Sequence, residues 1–229
     1  MASVQLKRVA KHYQEAGYTI KAVDNMDLSL EMGDFAVVAG PSGSGKSTLL
    51  NLIGGLDRPD AGEIFFNGEE ISKLSDSELT HLRLLKIGFV FQAYNLLPVL
   101  TAYENVQFPL QIRGIPEKEH KGRIMPILEE LGLGGMEHRF PTQLSGGQQQ
   151  RVAVARAIAS DPSIILADEP TANLDSESSV MLLNLMKKLN EEKGVTFLFS
   201  SHDPLVIETA RRVIRIRDGQ IRSDDRKEQ

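Results

Sequence analysis

Gly40-Pro41-Ser42-Gly43-Ser44-Gly45-Lys46-Ser47-Thr48 fits the spacing G-x-x-x-x-G-K-[ST], and what flanks it decides the fold. The apolar run Phe35-Ala36-Val37-Val38-Ala39 precedes it and Leu49-Leu50-Asn51-Leu52-Ile53 follows, so the stretch reads as the turn between a strand and a helix. Its glycines let backbone close round an anion with no Cβ in the way. Successive N–H groups and the positive end of the helix then face the phosphates. Lys46 adds a point charge on the β- and γ-phosphates, and the Ser47 hydroxyl is placed to hold Mg²⁺.

Outward from that loop, Val4 and Leu6 begin a first strand, Lys11-His12-Tyr13 reads as polar loop continuing to Gly17, and residues 26–30 form a second strand. Gly54-Gly55-Leu56-Asp57-Arg58-Pro59-Asp60-Ala61-Gly62 is dense in turn formers and ends the first helix. Residues 63–68 read as a short strand and its turn. Ser75 and Glu78 form a capping box that opens a helix reaching about Leu85. Ile87-Gly88-Phe89-Val90-Phe91-Gln92 is a strand ending on a glutamine. From 93 to 160 the signals turn helical. One element covers 101–113, a second opens at Pro116 with Ile124, Ile127, Leu128 and Leu131 on one face, and a third covers 146–159. Ile164-Ile165-Leu166-Ala167-Asp168 suits a strand buried on both faces. A helix over 176–192, a buried strand at 196–201 and a hairpin round Asp218-Gly219 follow. The charged tail 224–229 is expected to fray. Strands alternating with helices, with the phosphate loop on the first crossover, imply an α/β fold with a mostly parallel sheet.

A length of 229 residues with 41% hydrophobic and 25% charged residues describes an ordinary globular chain with one core. A net charge of −5 argues against a surface that coats nucleic acid. No cysteine is present, which excludes disulfides, thiolate metal sites and cysteine nucleophiles. No window approaches 18 consecutive apolar residues, and the start lacks the apolar centre of a signal peptide. A cytoplasmic protein is expected, with any membrane role exercised through a partner.

Four further positions carry chemistry. Asp168 ends a buried strand, where a phosphate-loop enzyme holds Mg²⁺ through water, and Glu169 stands one residue nearer the γ-phosphate, where a carboxylate can deprotonate the attacking water. In Leu144-Ser145-Gly146-Gly147-Gln148 a serine can cap a helix whose glycines let N–H groups approach an anion. One triphosphate rarely needs two such helix starts, so the second would serve a nucleotide held by another subunit. His202 at the next strand end could donate to a γ-phosphate oxygen, and the Gln92 amide oxygen could ligate Mg²⁺ or water.

With these in order, the chain resembles the nucleotide-binding subunit of ABC transporters along essentially its whole length. The resemblance implies a RecA-like P-loop core with an N-terminal antiparallel β subdomain, the core being residues 1–92 and 160–229, and an inserted helical subdomain at 93–159. It implies that Tyr13 stacks on adenine and that Gly40, Pro41, Ser42, Gly43, Ser44, Gly45, Lys46, Ser47 and Thr48 form the Walker A loop. It further implies that Gln92 links Mg²⁺ to the helical insert. Ser145, Gly146, Gly147 and Gln148 would contact the opposite subunit's ATP. Asp168 would close Walker B, Glu169 would be the catalytic base, Asp175 would lie at the dimer seam and His202 would sense the γ-phosphate. ATP and Mg²⁺ are the implied cofactors, and a second copy and a membrane permease the implied partners.

Within the family, Gly54-Gly55-Leu56-Asp57-Arg58-Pro59 and Asn95-Leu96-Leu97-Pro98-Val99-Leu100-Thr101-Ala102-Tyr103-Glu104-Asn105-Val106 resemble the lipoprotein-release, macrolide-efflux and cell-division type. Leu96, Leu97 and Leu100, if exposed, would suit a groove contact with a permease helix, and they would serve equally as internal packing. The rival readings are an ABC ATPase of DNA repair, chromosome organisation or translation, and a scaffold that barely hydrolyses. The repair and chromosome types separate the two glycine motifs by long coiled coils, whereas about a hundred residues separate Lys46 from Ser145, with no sustained heptads.

Overall fold

The computed structural model describes residues 2–15 and 17–227. The first half runs β1 (Ala2–Glu15), β2 (Tyr18–Glu31), β3 (Phe35–Ala39), α1 (Lys46–Ile53), β4 (Ala61–Phe66), β5 (Glu69–Glu70), α2 (Asp76–Lys86) and β6 (Ile87–Val90). Then come α3 (Ala102–Ile112), α4 (Glu117–Glu130), a 3₁₀ turn at Pro141–Gln143, α5 (Gly146–Ala159) and β7 (Ile164–Asp168). The chain continues with α6 (Ser176–Lys193), β8 (Thr196–Ser201), α7 (Pro204–Thr209), β9 (Arg212–Arg217) and β10 (Gln220–Arg226).

Six strands form the main sheet in the order β10-β9-β3-β8-β7-β6, and four form a second, antiparallel sheet in the order β2-β1-β4-β5. In the main sheet β3 lies between β8 and β9, parallel to both, and β7 joins β8 to β6 in parallel. Among the described residues the β9–β10 hairpin alone is antiparallel there. The two-residue side-chain period of a strand sends alternate residues to opposite faces. Phe35, Val37 and Ala39 therefore enter one core with Phe197, Phe199 and the helices α3 to α6, while Ala36 and Val38 enter another with α1 and the four-stranded sheet. A sheet covered on both faces explains why β3, β7 and β8 are near-continuous apolar runs. Phe35 meets Phe199 edge-on, with ring centroids 4.8 Å apart.

The helical block shares its core with the sheet. Val106, Leu110, Ile124 and Leu128 from α3 and α4, and Val152 and Val154 from α5, pack in the same cluster as Val37 and Phe197. Gly88 of β6 lets α5 approach, since a Cβ there would stand 3.0 Å from the Ala157 carbonyl oxygen.

Several expectations need correction. Lys11, His12 and Tyr13 lie in β1, not in a loop, and β2 is far longer than residues 26–30. Register shifts between Leu6 and Val9, and again up to His12, break the alternation by which a strand is read. β6 stops at Val90, which puts Gln92 in the turn beyond it, and residues 91–101 form no helix. Residues 224–226 of the expected tail belong to β10, anchored by Arg212, whose guanidinium donates to both Asp224 oxygens at 2.7 and 2.6 Å. Glu228 and Gln229 lie outside the described residues.

Candidate active site

The phosphate loop is shaped by steric necessity. Gly43 and Gly45 have φ of 77° and 100°, in the left-handed region that disfavours a side chain. A Cβ on Gly45 would also stand 1.9 Å from the Ala22 carbonyl oxygen of β2. At Gly45 the loop therefore presses on the second sheet with no room for a larger residue, whereas at Gly43 the backbone angle alone favours glycine. Lys46, 7% exposed, folds back so that Nζ donates to the Gly40 carbonyl at 2.8 Å and the Pro41 carbonyl at 3.1 Å. Ser44 is buried, and its backbone carbonyl accepts from the Gly219 N–H of the β9–β10 turn at 3.2 Å.

Parallel strands deliver the acidic groups to the same edge. Asp168, the last residue of β7, accepts a hydrogen bond from the Ser47 hydroxyl, Oγ to Oδ1, at 3.0 Å. Glu169 has φ of 45°, an uncommon backbone conformation for such a residue, and its N–H donates to the Ser200 carbonyl at 2.8 Å. Its carboxylate receives the Ser201 hydroxyl on Oε2 at 3.0 Å and His202 Nδ1 on Oε1 at 2.8 Å, and Lys46 Nζ stands 3.8 Å away. A carboxylate only accepts, so Nδ1 carries the hydrogen. The neutral ring then presents Nε2 as an acceptor. For His202 to donate to a phosphate oxygen, Nδ1 must leave Glu169 or Nε2 must gain a proton.

A cleft of about 450 Å³ opens here, with Tyr13, Gly43, Lys46, Ser47, Gln92, Glu169 and His202 on its walls, whereas Ser44, Asp168 and Ser201 stand behind them and are not among its lining residues. Ser42, Gly45 and Thr48 also border it. Tyr13 sits directly opposite Ile20 across the β1–β2 pair, and both side chains face the cleft. Burial, followed by the hydrogen bond to Asp57, pushes the Tyr13 phenol above its ordinary value.

The second glycine motif lies elsewhere. Ser145 caps α5, accepting from the Gln148 N–H at 3.3 Å, while Gln148 Oε1 accepts from the Ser145 N–H at 2.9 Å, so each side chain is engaged by the other residue's backbone. A Cβ on Gly146 would approach the Tyr94 hydroxyl to 2.9 Å, and one on Gly147 the Ser178 hydroxyl to 3.2 Å. Asp175 caps α6 through the Ser178 N–H at 2.8 Å. None of residues 145–148 and 175 is among the residues that line the cleft. A thread connects the two regions, since Asn173 Nδ2 donates to the Gln92 carbonyl at 2.9 Å.

Sequence reasoning missed Ser201 and Asp57. Ser201 is buried at a strand end beside His202, a position that itself hints at the site. Asp57 lies 44 residues from its partner Tyr13, and nothing local joins them.

Ser47 Oγ and Asp168 Oδ1 are hard oxygen donors in contact. Among the described residues no group of three or more His, Cys, Asp or Glu could hold a metal alone. That donor set fits Mg²⁺, which takes one or two protein oxygens and fills its octahedron with phosphate and water.

A phosphate loop at the end of a central parallel strand, with an aspartate closing the parallel strand next but one and a glutamate directly after it, defines a P-loop nucleotide hydrolase. A family model described as ABC transporter matches residues 23–172, and the chain belongs to that ABC transporter ATP-binding family. It is therefore an ATP-binding subunit that hydrolyses ATP. Lipoprotein-releasing system ATP-binding protein LolD 1 of Rhodopseudomonas palustris is 48% identical over 202 residues, which cover 88% of this chain and 89% of that one. Macrolide export ATP-binding/permease protein MacB of Hyphomonas neptunium is 47% identical over 96% of this chain, which spans only 34% of it. Among solved structures, the dimeric post-hydrolysis state of the ATP-binding cassette MJ0796, bound to ADP and Pi, superposes with a TM-score of 0.91. It is 44% identical, covering 97% of this chain and 98% of that one.

Proposed function

We propose that the chain is the motor half of a membrane transporter of the lipoprotein-release and macrolide-efflux type, closing on ATP with a second copy of itself. One observation carries the reading: the chain has two glycine-bearing helix starts suited to phosphate, and only one opens into the cleft. A second copy related by a twofold axis would bring its residues 145–148 and Asp175 over the exposed side of that cleft. The dimeric state of MJ0796 supports this arrangement, and the names of the LolD and MacB relatives support the transporter type.

In this reading the loop from Gly40 to Thr48 grips the triphosphate, Lys46 leaves its carbonyl partners for the phosphates, and Tyr13 stacks on the base. Ser47, Gln92 and, through water, Asp168 would hold Mg²⁺, which when bound neutralises charge on the phosphates. Glu169 takes the proton of the attacking water as the new bond to the γ-phosphorus forms and ADP departs with the old one. His202 orients Glu169 through Nδ1 and meets the γ-phosphate once that bond is released. The cleft then loses the group holding both copies together, and the clamp opens.

The permease would engage the turn after Gln92. There Leu97 and Val99 are 38% and 78% exposed, whereas Leu96 packs inward and Leu100 is half-buried, so of the three leucines Leu97 is left for a contact and Leu96 serves internal packing. A groove beside that turn is lined by Phe89, Phe91, Asn95 and Arg156. Among the described residues no helix is long and apolar enough to cross a membrane. The chain would accordingly sit at the cytoplasmic face of the membrane through its permease.

The test is Glu169→Gln at saturating Mg·ATP, followed by light scattering and phosphate release. A stable dimer with turnover reduced at least a hundredfold is expected. A monomer under those conditions overturns the shared-site reading.

A further inference from the structure

We infer that Asp57, in the turn that ends the phosphate-loop helix, is a positioning residue for the adenine platform: it holds the Tyr13 ring in place and thereby fixes the distance between the base and the phosphate grip. This rests on the proposed stacking role of Tyr13.

The geometry is specific. Tyr13 OH donates to Asp57 Oδ2 at 2.7 Å, while Oδ1 of the same carboxylate takes Lys11 Nζ at 2.8 Å and the Arg58 N–H at 2.7 Å. Lys11 Nζ also donates to the Arg58 carbonyl at 2.8 Å and stands 5.4 Å from the Tyr13 ring centroid. Asp57 itself is tied to α1, because its N–H donates to the Asn51 carbonyl at 3.2 Å and the Leu56 N–H to the same oxygen at 2.8 Å. The turn that follows the phosphate-loop helix therefore carries a carboxylate that holds the Tyr13 hydroxyl, which also meets the Thr48 hydroxyl of the loop.

An aromatic ring with one polar tip packs by its face and is oriented by its hydroxyl. Tyr13 is 39% exposed, so packing alone does not immobilise it. Of the hydroxyl's contacts, the Asp57 bond has an ionised acceptor, the stronger kind of hydrogen bond. Without it the ring would sample several orientations, and the base would have to order it on binding. The cost would fall on nucleotide affinity and spare the phosphate contacts.

The experiment compares the full chain with Asp57→Asn, Asp57→Ala, Tyr13→Phe, Tyr13→Ala and the Asp57→Ala/Tyr13→Ala pair. Each is titrated with Mg·ATP and with Mg·tripolyphosphate, which has no base, and assayed for kcat and KM. Asp57→Ala and Tyr13→Phe should each weaken ATP about tenfold. Tripolyphosphate binding should stay unchanged within about twofold, and the rise should appear in KM, not kcat. Asp57→Ala should add nothing in the Tyr13→Ala background, and Asp57→Asn, which keeps an oxygen acceptor, should recover part of the affinity. In the wild type, ultraviolet titration should show Tyr13, Tyr94 and Tyr103 ionising above the ordinary range, with one of the three lost in Tyr13→Phe and one moved down in Asp57→Ala.

If Tyr13→Ala weakens ATP but Asp57→Ala and Tyr13→Phe do not, the positioning inference is overturned and stacking stands. If Tyr13→Ala leaves the preference for ATP over tripolyphosphate unchanged, stacking itself fails, and the inference with it. Equal loss of both ligands in Asp57→Ala would reduce Asp57 to a structural role.

Discussion

At the scale of single residues, the carboxylate proposed as the base is restrained from three directions. Glu169 has an uncommon backbone conformation, pinned by its N–H to Ser200, and its two oxygens are held by Ser201 and His202. Ser201→Ala removes one hold without touching the phosphate loop. Its kcat should fall about tenfold with KM for ATP unchanged, as read by steady-state phosphate release. Asp57 offers a pH signature. Burial pushes its carboxyl up, but hydrogen bonds from Lys11, Tyr13 and the Arg58 N–H outweigh this and hold it below the ordinary range. A folded value below the unfolded one means that its stabilisation is present above about pH 4 and is lost as pH falls through the folded value. Thermal melts between pH 3 and 7 should accordingly show a shallower acid limb in Asp57→Asn than in wild type. That Lys46, Ser47, Glu169 and His202 gather at one cleft was legible in the sequence, because each stands at a strand end or a motif position. Ser201 and Asp57 were not, because their roles come from contacts 32 and 44 residues away.

At the scale of elements, capping and steric fit decide how the site is built. Ser145→Ala should cost α5 about 1 kcal/mol of stability in chemical denaturation, since the capping oxygen is lost. Ser145→Arg should abolish turnover yet leave ATP binding by the isolated chain intact, measured by calorimetry, if residues 145–148 serve a second copy's nucleotide. The helices α2, α3, α5 and α6 were readable from their caps and apolar stripes, and α5 begins at the expected Gly146. β1 and β2 were only half-readable, because bulges shift the register and move apolar residues off the two-residue period. α7 was overlooked although Asp203 and Pro204 announce it, since six residues are too few to show helical periodicity. The end of β10 looked like tail because its charges, taken alone, suggest solvent. Only in the fold does Asp224 meet Arg212, which is 7% exposed.

At the scale of the whole molecule, the parallel sheet and the crevice at its strand ends were legible, because a P-loop between a buried strand and a helix allows few topologies. The sharing of one core by the helical block and the sheet was not, because sequence order interposes the block as though it were separate. Leu97→Asp with Val99→Asp places charge on the exposed turn and spares the cleft. The isolated chain's turnover should stay within about twofold of wild type, while stimulation by a co-reconstituted permease is lost. The strand order has one more consequence, for the chain during its synthesis. β3 carries the phosphate loop, and its hydrogen-bonding neighbours are β8 and β9, the nearer of which begins at Thr196, 157 residues after Ala39. At about 5–20 residues per second on a ribosome, an apolar strand and its loop wait on the order of ten seconds for both flanks. Nascent chains halted before Thr196 should therefore engage holdase chaperones through residues 35–39, and no ATP grip can form until the last strands have emerged.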